Sequence, residues 1–245
     1  MRQSIFTIKE NIRLTETVYR MELSGDVSEI TAPGQFVNIK LDGLYLRRPI
    51  SVCDCENGVL TLIYKVVGKG TEQMAKMTAG EKLDVLTGLG NGYDTALSGD
   101  KPLLIGGGVG VPPLYMLAKK LISEGKKVSV VLGFNTKSEI FCEVDFKELG
   151  ADVYITTVDG TYGTKGFVTD AMKDIDYTYF YTCGPEPMFK AVYKSTATSG
   201  QFSFEERMGC GFGACMGCSC KTITGYKRIC KDGPVLKKEE ILWAD

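Results

Sequence analysis

Over the first 97 residues, apolar and polar positions alternate in short runs: Ser4–Lys9, Val18–Leu23, Gln35–Leu41, Val59–Val67 and Lys82–Leu86. A period of two is the mark of strands with one face buried. Turn-forming clusters separate the runs, among them Ala32-Pro33-Gly34, Asp42-Gly43 and Glu56-Asn57-Gly58. Many short strands at this spacing predict a β barrel rather than an α/β unit. From residue 98 the pattern changes: Pro102–Gly106 is an apolar strand, followed by a glycine turn and a helical stretch from Pro112 to Ser123 that ends at Gly125. Further strands are expected at Val128–Phe134, Ala151–Val158 and Tyr177–Thr182, with a helix starting near Pro185. Strands alternating with helices predict a parallel, doubly wound sheet of the nucleotide-binding kind. From residue 205 the chain turns Gly- and Cys-rich with little apolar periodicity. A segment of that length builds a core of its own with difficulty, so a metal is its natural staple. The expected organisation is therefore a barrel over 1–97, an α/β domain over 98–204 and a small cysteine-rich segment over 205–245.

Composition narrows the chemistry. Hydrophobic content is 44%, charged content 24%, and the net charge is −1 from 29 basic and 30 acidic residues. No block of like charge suggests nucleic acid or an anionic membrane surface. The opening residues MRQSIFTIKENIR lack a signal peptide's apolar run, and no stretch approaches the ~18 to 20 apolar residues of a spanning helix. A cytoplasmic protein is expected. The sequence contains no histidine, which removes Ser-His and Cys-His catalysis, His-ligated metals and His-ligated haem. It does contain nine cysteines, five of them between residues 210 and 230. In a cytosolic chain such clustering reads as metal or redox chemistry rather than disulfides.

Residues 207–220 read R-M-G-C-G-F-G-A-C-M-G-C-S-C, and Cys230 follows after an expected hairpin around Thr224-Gly225. Cys210, Cys215, Cys218 and Cys230 give C-x4-C-x2-C-x11-C, the plant-type [2Fe–2S] spacing. Such a loop wraps its cluster with backbone N–H groups turned toward sulfur, and Gly209, Gly211, Gly213, Ala214 and Gly217 permit that approach. A four-cysteine zinc site or ordinary buried thiols are the competing readings; structural zinc usually shows two short-spaced cysteine pairs, and only Cys215/Cys218 is one. Cys220 is a further thiol nearby.

Three further segments could bind phosphate. In Leu46-Arg47-Arg48-Pro49-Ile50-Ser51, placed at the end of a β run, a guanidinium and a hydroxyl flank a rigid proline. Ile63-Tyr64-Lys65-Val66-Val67-Gly68-Lys69-Gly70-Thr71 offers backbone N–H groups, and Tyr64 a ring that could stack. The Gly106-Gly107-Gly108-Val109-Gly110-Val111-Pro112-Pro113 turn joins a strand to a helix, where a pyrophosphate would meet free N–H groups. It is not G-x-G-x-x-G, and taken alone each segment is equally a structural turn.

The order of these segments is similar to that of the ferredoxin–NADP reductase superfamily: R-x-x-S, then G-x-G-x-G-x-x-P, then Thr182-Cys183-Gly184-Pro185. With the C-terminal cysteines added, the chain resembles, end to end, the electron-transfer subunits of type B dihydroorotate dehydrogenases. The segments that carry this are R-R-P-I-S (47–51), V-G-K-G-T (67–71), G-G-G-V-G-V-P-P (106–113), Y-G-T-K-G-F-V-T (162–169), C-G-P-E-P-M (183–188), E-R-M-G-C-G-F-G-A-C-M-G-C (206–218) and C-K-D-G-P-V (230–235). The resemblance implies FAD held by Arg48, Pro49, Ile50, Ser51, Ile63, Tyr64, Lys65, Gly70 and Thr71. It implies NAD at Gly106, Gly107, Gly108, Gly110, Gly184 and Pro185, with Cys183 beside the nicotinamide as the catalytic residue, and a [2Fe–2S] cluster on Cys210, Cys215, Cys218 and Cys230. It further implies an FMN-containing catalytic partner that oxidises dihydroorotate in pyrimidine biosynthesis, in a heterotetramer of two subunit types. The third strand of the α/β domain ends Thr156-Thr157-Val158-Asp159-Gly160, with an acid and no arginine, which favours NAD over NADP. The alternatives are a subunit of a related ferredoxin:NAD(P) oxidoreductase or sulfide dehydrogenase complex, or a zinc-stapled adaptor without activity.

Overall fold

A computed structural model describes residues 1–243. Strands β1 (Arg2–Arg13), β2 (Val18–Ser24), β3 (Phe36–Lys40), β4 (Arg48–Glu56), β5 (Val59–Lys65) and β6 (Lys82–Leu89) close an antiparallel barrel in the order β1-β2-β5-β4-β3-β6. The alternation of the sequence is what fills it. Phe6 and Ile8, Met21 and Leu23, Val37 and Ile39, Leu60 and Leu62, and Leu83 and Val85 turn inward and are buried together. Two details differ from the sequence reading. The Arg-Pro-Ile-Ser segment opens β4 instead of ending a run, because the chain turns through Asp42-Gly43 before it. Helix α1 (Lys69–Ala75) follows β5, where only a glycine loop was expected.

The second body is a sheet in the order β10-β9-β8-β7-β11-β12-β15. Strands β7 (Pro102–Gly107), β8 (Ser129–Phe134), β9 (Asp152–Thr157), β10 (Thr164–Lys165), β11 (Tyr179–Cys183) and β12 (Gly200–Ser203) are parallel, and β15 (Val235–Lys237) is antiparallel at the edge. Helices α2 (Pro113–Ser123), α3 (Glu143–Glu148), α4 (Val168–Ala171) and α5 (Glu186–Ser195) cover it. In α2, Leu114, Leu117, Ala118 and Leu121 recur at helical spacing and are fully buried. They share one apolar core with Val18, Cys53 and Ile63 of the barrel, which fixes the two bodies against each other.

The C-terminal stretch is less separate than its composition implies. Strands β13 (Ser219–Thr222) and β14 (Gly225–Arg228) form a hairpin, followed by α6 (Ile229–Asp232). Strand β15 (Val235–Lys237) then pairs antiparallel with β12 at the edge of the large sheet. Cys218, Ile229, Cys230 and Leu236 bury themselves with Phe36 and Leu89 of the barrel, so the stretch borrows its core from both neighbours. Among the described residues no helix is long and apolar enough to cross a membrane.

Candidate functional site

The barrel, the large sheet and the cysteine-rich stretch border one cleft of about 1840 Å³. Of the residues singled out for flavin, Arg48, Pro49, Ile50, Ser51, Ile63, Tyr64, Lys65 and Thr71 line it. Gly70 does not, but its Cα lies so close to the Arg48 side chain that a methyl group there would collide with it. The structure separates the two adjacent arginines. Arg47 is spent on structure: it pairs with Asp84 at 3.0 Å and donates to the carbonyls of Asn38 at 3.2 Å and Asp84 at 3.1 Å. Both arginines line the cleft, but Arg48 bonds only the nearby Leu46 carbonyl among the described residues, which leaves it donors that a phosphate could take. Tyr64 is less free than expected. Its ring stacks on Tyr19 with centroids 6.0 Å apart, and its hydroxyl donates to Asn11 at 3.0 Å. The Thr71 hydroxyl is likewise engaged, accepting from the Val67 N–H at 2.9 Å.

On the opposite wall stand Gly107, Gly108 and Gly110 at the end of β7, and Cys183, Gly184 and Pro185 at the end of β11. Gly106 is buried beneath them, packed toward Val111 and Leu114. Both turns lie at the carboxyl ends of adjacent parallel strands, where α/β sheets bind nucleotides. Their backbones touch: a Cβ on Gly110 would lie 2.5 Å from the Gly184 nitrogen. Burial pushes the Cys183 thiol up to about 12, with Ser203 pulling the other way and the charge of Glu205 adding to the rise. Cys183 therefore stands as a neutral S–H and not a thiolate.

Asp159, the acid the sequence pointed to, is tied to Thr161, accepting its N–H at 3.0 Å and its hydroxyl at 2.7 Å. Among the acids that line the cleft is Glu139, which accepts from the Asn135 side chain at 2.8 Å. Both sit just past β8, and the rule of strand carboxyl ends was the signal that would have found them. Phe204 and Trp243 also line the cleft. Nothing in their sequence neighbourhood marked them, since they reach it only through the folding of the C-terminal stretch.

The four cysteines stand as two pairs. The Cys210 sulfur accepts from the N–H groups of Ala214 at 3.2 Å and Cys215 at 3.4 Å, while the Cys210 N–H donates to the Cys215 sulfur at 3.4 Å. In the other pair the Cys230 N–H donates to the Cys218 sulfur at 3.4 Å. Two pairs of thiols would suit a binuclear cluster, one pair to each iron. The cradle fits too, because a Cβ on Gly209 would lie 3.2 Å from the Cys215 sulfur. Burial works against ionisation of Cys210, but N–H groups of Phe212, Cys215 and Ala214 and the Cys215 thiol outweigh it and bring the thiol down to about 6. A thiol so lowered is prepared to ligate. Arg228 braces the loop by donating to the Gly213 carbonyl at 2.9 Å while paired with Asp232 at 3.0 Å. Cys220 lies apart on β13, half-buried, and lines the cleft.

Comparison with known proteins agrees with this construction. Residues 205–242 match the iron–sulfur cluster binding domain of dihydroorotate dehydrogenase B, and residues 104–194 match the oxidoreductase NAD-binding domain. The chain is 44% identical over 251 residues to the dihydroorotate dehydrogenase B (NAD(+)) electron transfer subunit of Fusobacterium nucleatum subsp. nucleatum, covering 96% of each chain. It is 45% identical over 256 residues to the subunit of the same name from Geobacillus sp. (strain WCH70), covering 99% of each. Among solved structures, one describing an NADH-dependent reduced ferredoxin-NADP oxidoreductase superposes with a TM-score of 0.88 at 32% identity, covering 97% of this chain and 90% of that one. A ferredoxin NADP+ reductase from Neisseria gonorrhoeae, with bound FAD and NADP, shares the fold at a TM-score of 0.70 and 16% identity, covering 80% of this chain and 90% of its own. By its near-complete match to these relatives, the chain belongs to the family of dihydroorotate dehydrogenase B electron transfer subunits.

Proposed function

We propose that this chain carries electrons between a catalytic partner subunit that oxidises dihydroorotate and NAD+, in the biosynthesis of pyrimidine nucleotides such as UMP. The observation that carries the proposal is that the Arg48–Ser51 segment of β4 and the paired turns at Gly107–Gly110 and Cys183–Pro185 line one cleft, which is also bordered by residues 205–208 and 220–222 of the stretch that carries the four cysteines. When bound, a [2Fe–2S] cluster supplies one-electron transfer, FAD a store for two electrons, and NAD+ an acceptor of hydride. The chain's own residues bind, orient and seal. Arg48 and Ser51 hold flavin phosphate, and Ile50 and Ile63 line the same wall with apolar surface. The glycine turn admits a pyrophosphate to the start of α2, with Glu139 at the adenosine end, where a carboxylate favours a ribose hydroxyl over a 2′-phosphate. Cys183 holds its proton and presents a compact neutral surface to the nicotinamide. Cys210 and Cys215 hold one iron, Cys218 and Cys230 the other. The absence of histidine suits a protein whose cofactors move the electrons and whose side chains need not relay protons.

The division into residues 1–97 for FAD, 98–204 for NAD and 205–245 for the cluster belongs to this proposal, as do an FMN-containing partner, a heterotetramer of two subunit types and a cytoplasmic setting. The test is anaerobic purification with the partner, followed by quantification of iron, sulfide and flavin and by assay of dihydroorotate-dependent NAD+ reduction. About two irons and two sulfides per chain, flavin bands and dihydroorotate-driven NADH formation are expected. A colourless zinc protein would overturn the proposal. The likeness to the NADH-dependent reduced ferredoxin-NADP oxidoreductase structure supports one second reading, a subunit of a related ferredoxin:NAD(P) oxidoreductase complex. Reduction by ferredoxin, with no response to dihydroorotate, would select it.

A further inference from the structure

Strand β3 belongs to the barrel, yet its outer face is covered by the cysteine-rich stretch. Val37 and Ile39 point into the barrel core. Phe36 and Asn38 therefore point the other way, and each meets one cysteine pair. Phe36 is buried in the same cluster as Cys218 and Cys230. Asn38, 1% exposed, donates its side-chain N–H to the Cys210 carbonyl at 3.3 Å. The fit at that point leaves no slack, because a methyl group on Gly211 would collide with the Asn38 amide nitrogen. On its other flank β3 pairs with β4, placing Phe36 opposite Ser51 and Asn38 opposite Pro49. One short strand thus has the segment proposed to hold flavin as its hydrogen-bonded neighbour and the cysteine loop on its face.

The Asn38 amide is unusual in a second way. Its oxygen is buried and has no hydrogen-bond partner among the described residues. A buried amide with an orphaned acceptor costs free energy, and its retention calls for an explanation in what its one bond holds. The Asn38 backbone is itself anchored, since its carbonyl accepts from Arg47, which is paired with Asp84 of β6.

Resting on the proposed electron-transfer function, we propose that Asn38 is a positioning residue for the cluster: its amide pins the Cys210 end of the loop to β3 and so fixes the separation of cluster and flavin. The residue touches no cofactor. It acts by holding the loop in a single docked arrangement, which would fix the distance between a bound cluster and the flavin site.

The test uses the full chain, purified anaerobically with its cofactors, as wild type, Asn38→Asp and Asn38→Ala. Asp keeps the shape of the side chain and removes the donor. Each protein is mixed with NADH, and flavin and cluster absorbance are followed separately in the same sample. The reduced cluster is examined by electron paramagnetic resonance, and iron, sulfide and thermal melting are measured alongside. Loss of the donor shifts the docked-loop equilibrium by roughly 5- to 150-fold, so cluster reduction relative to flavin reduction falls by up to that factor and the cluster signal broadens. A rate ratio and a signal within twofold of wild type in both variants overturn the inference. If Asn38→Asp does not retain its cluster, Asn38→Ser decides: its small neutral donor should give a ratio between wild type and Asn38→Ala, and a wild-type ratio in both Ser and Ala overturns the inference. Failure of NADH to reduce the cluster in the wild type would instead strike the electron-transfer function on which this rests.

Discussion

Gly110→Ala tests whether the two backbone turns on the nucleotide wall act as a unit. Gly110 is not in a left-handed conformation, so alanine meets no backbone penalty there. The obstacle is contact. The added methyl would lie 2.5 Å from the Gly184 nitrogen, against the 3.4 Å at which ordinary contact begins, and it would press still closer on the Cys183 carbonyl. Those atoms are backbone and cannot rotate away, so the turns must part by about 0.9 Å or more. Overpacking of this kind costs about 1–3 kcal/mol, a melting shift of roughly 2–12 °C for a chain of this size. The functional effect is larger in proportion, because a misplacement of about 1 Å at a reacting centre can lower a rate ~100-fold. The assay is stopped-flow reduction of bound flavin by NADH, beside iron and sulfide content, which the substitution leaves at wild-type levels. The control is Gly125→Ala, where φ is +77° and no atom lies within 4 Å of the added methyl. It costs about 1–2 kcal/mol through conformation alone and leaves flavin reduction unchanged. Flavin reduction by Gly110→Ala within twofold of wild type would refute the reasoning.

Three other outcomes are expected. Arg48→Ala weakens flavin retention about tenfold or more, the loss of one charge-assisted phosphate contact; Arg47→Ala lowers thermal stability instead, because its pairing with Asp84 is lost. Flavin content after gel filtration and the melting temperature separate the two. Cys215→Ser strips the cluster, whereas Cys220→Ala, which removes a thiol outside both sulfur pairs, keeps about two irons per chain. Iron and sulfide analysis distinguishes them. Stability falls as pH rises from about 9 toward 12, because burial pushes the Cys183 thiol from its ordinary 9.0 up to about 12 and raises Cys53 and Tyr93 as well. Over that window the folded chain keeps protons that the unfolded chain has released, so the slope is negative. Denaturant midpoints that stay flat across it would contradict this.

Much of the site was legible in order along the chain, because the residue types that carry its chemistry are scarce and their spacing is short. The C-x4-C-x2-C spacing is a local property of a loop wrapped around its ligand; the structure adds the grouping of Cys210 with Cys215 and of Cys218 with Cys230, which the spacing did not give. The barrel was legible because alternation of period two leaves a strand one choice of buried face. Strand β4 and helix α1 were missed: Pro49 and the glycines around Lys69 blur periodicity, and tertiary contacts override it there.

The sequence alone determined which residue types are present: four closely spaced thiols with a fifth nearby, glycine turns suited to phosphate, an arginine beside a proline, and no histidine. Which of two adjacent arginines, both on the cleft wall, keeps most of its donors free was decided only in three dimensions, because Asp84 lies 37 residues away and claims Arg47. The same holds for Glu139 lining the cleft while Asp159 is bonded to Thr161, and for the C-terminal stretch leaning on Phe36 and β12. Those outcomes depend on contacts between residues distant in sequence, and local propensity and spacing carry no information about which distant partner arrives first at a shared bond or surface.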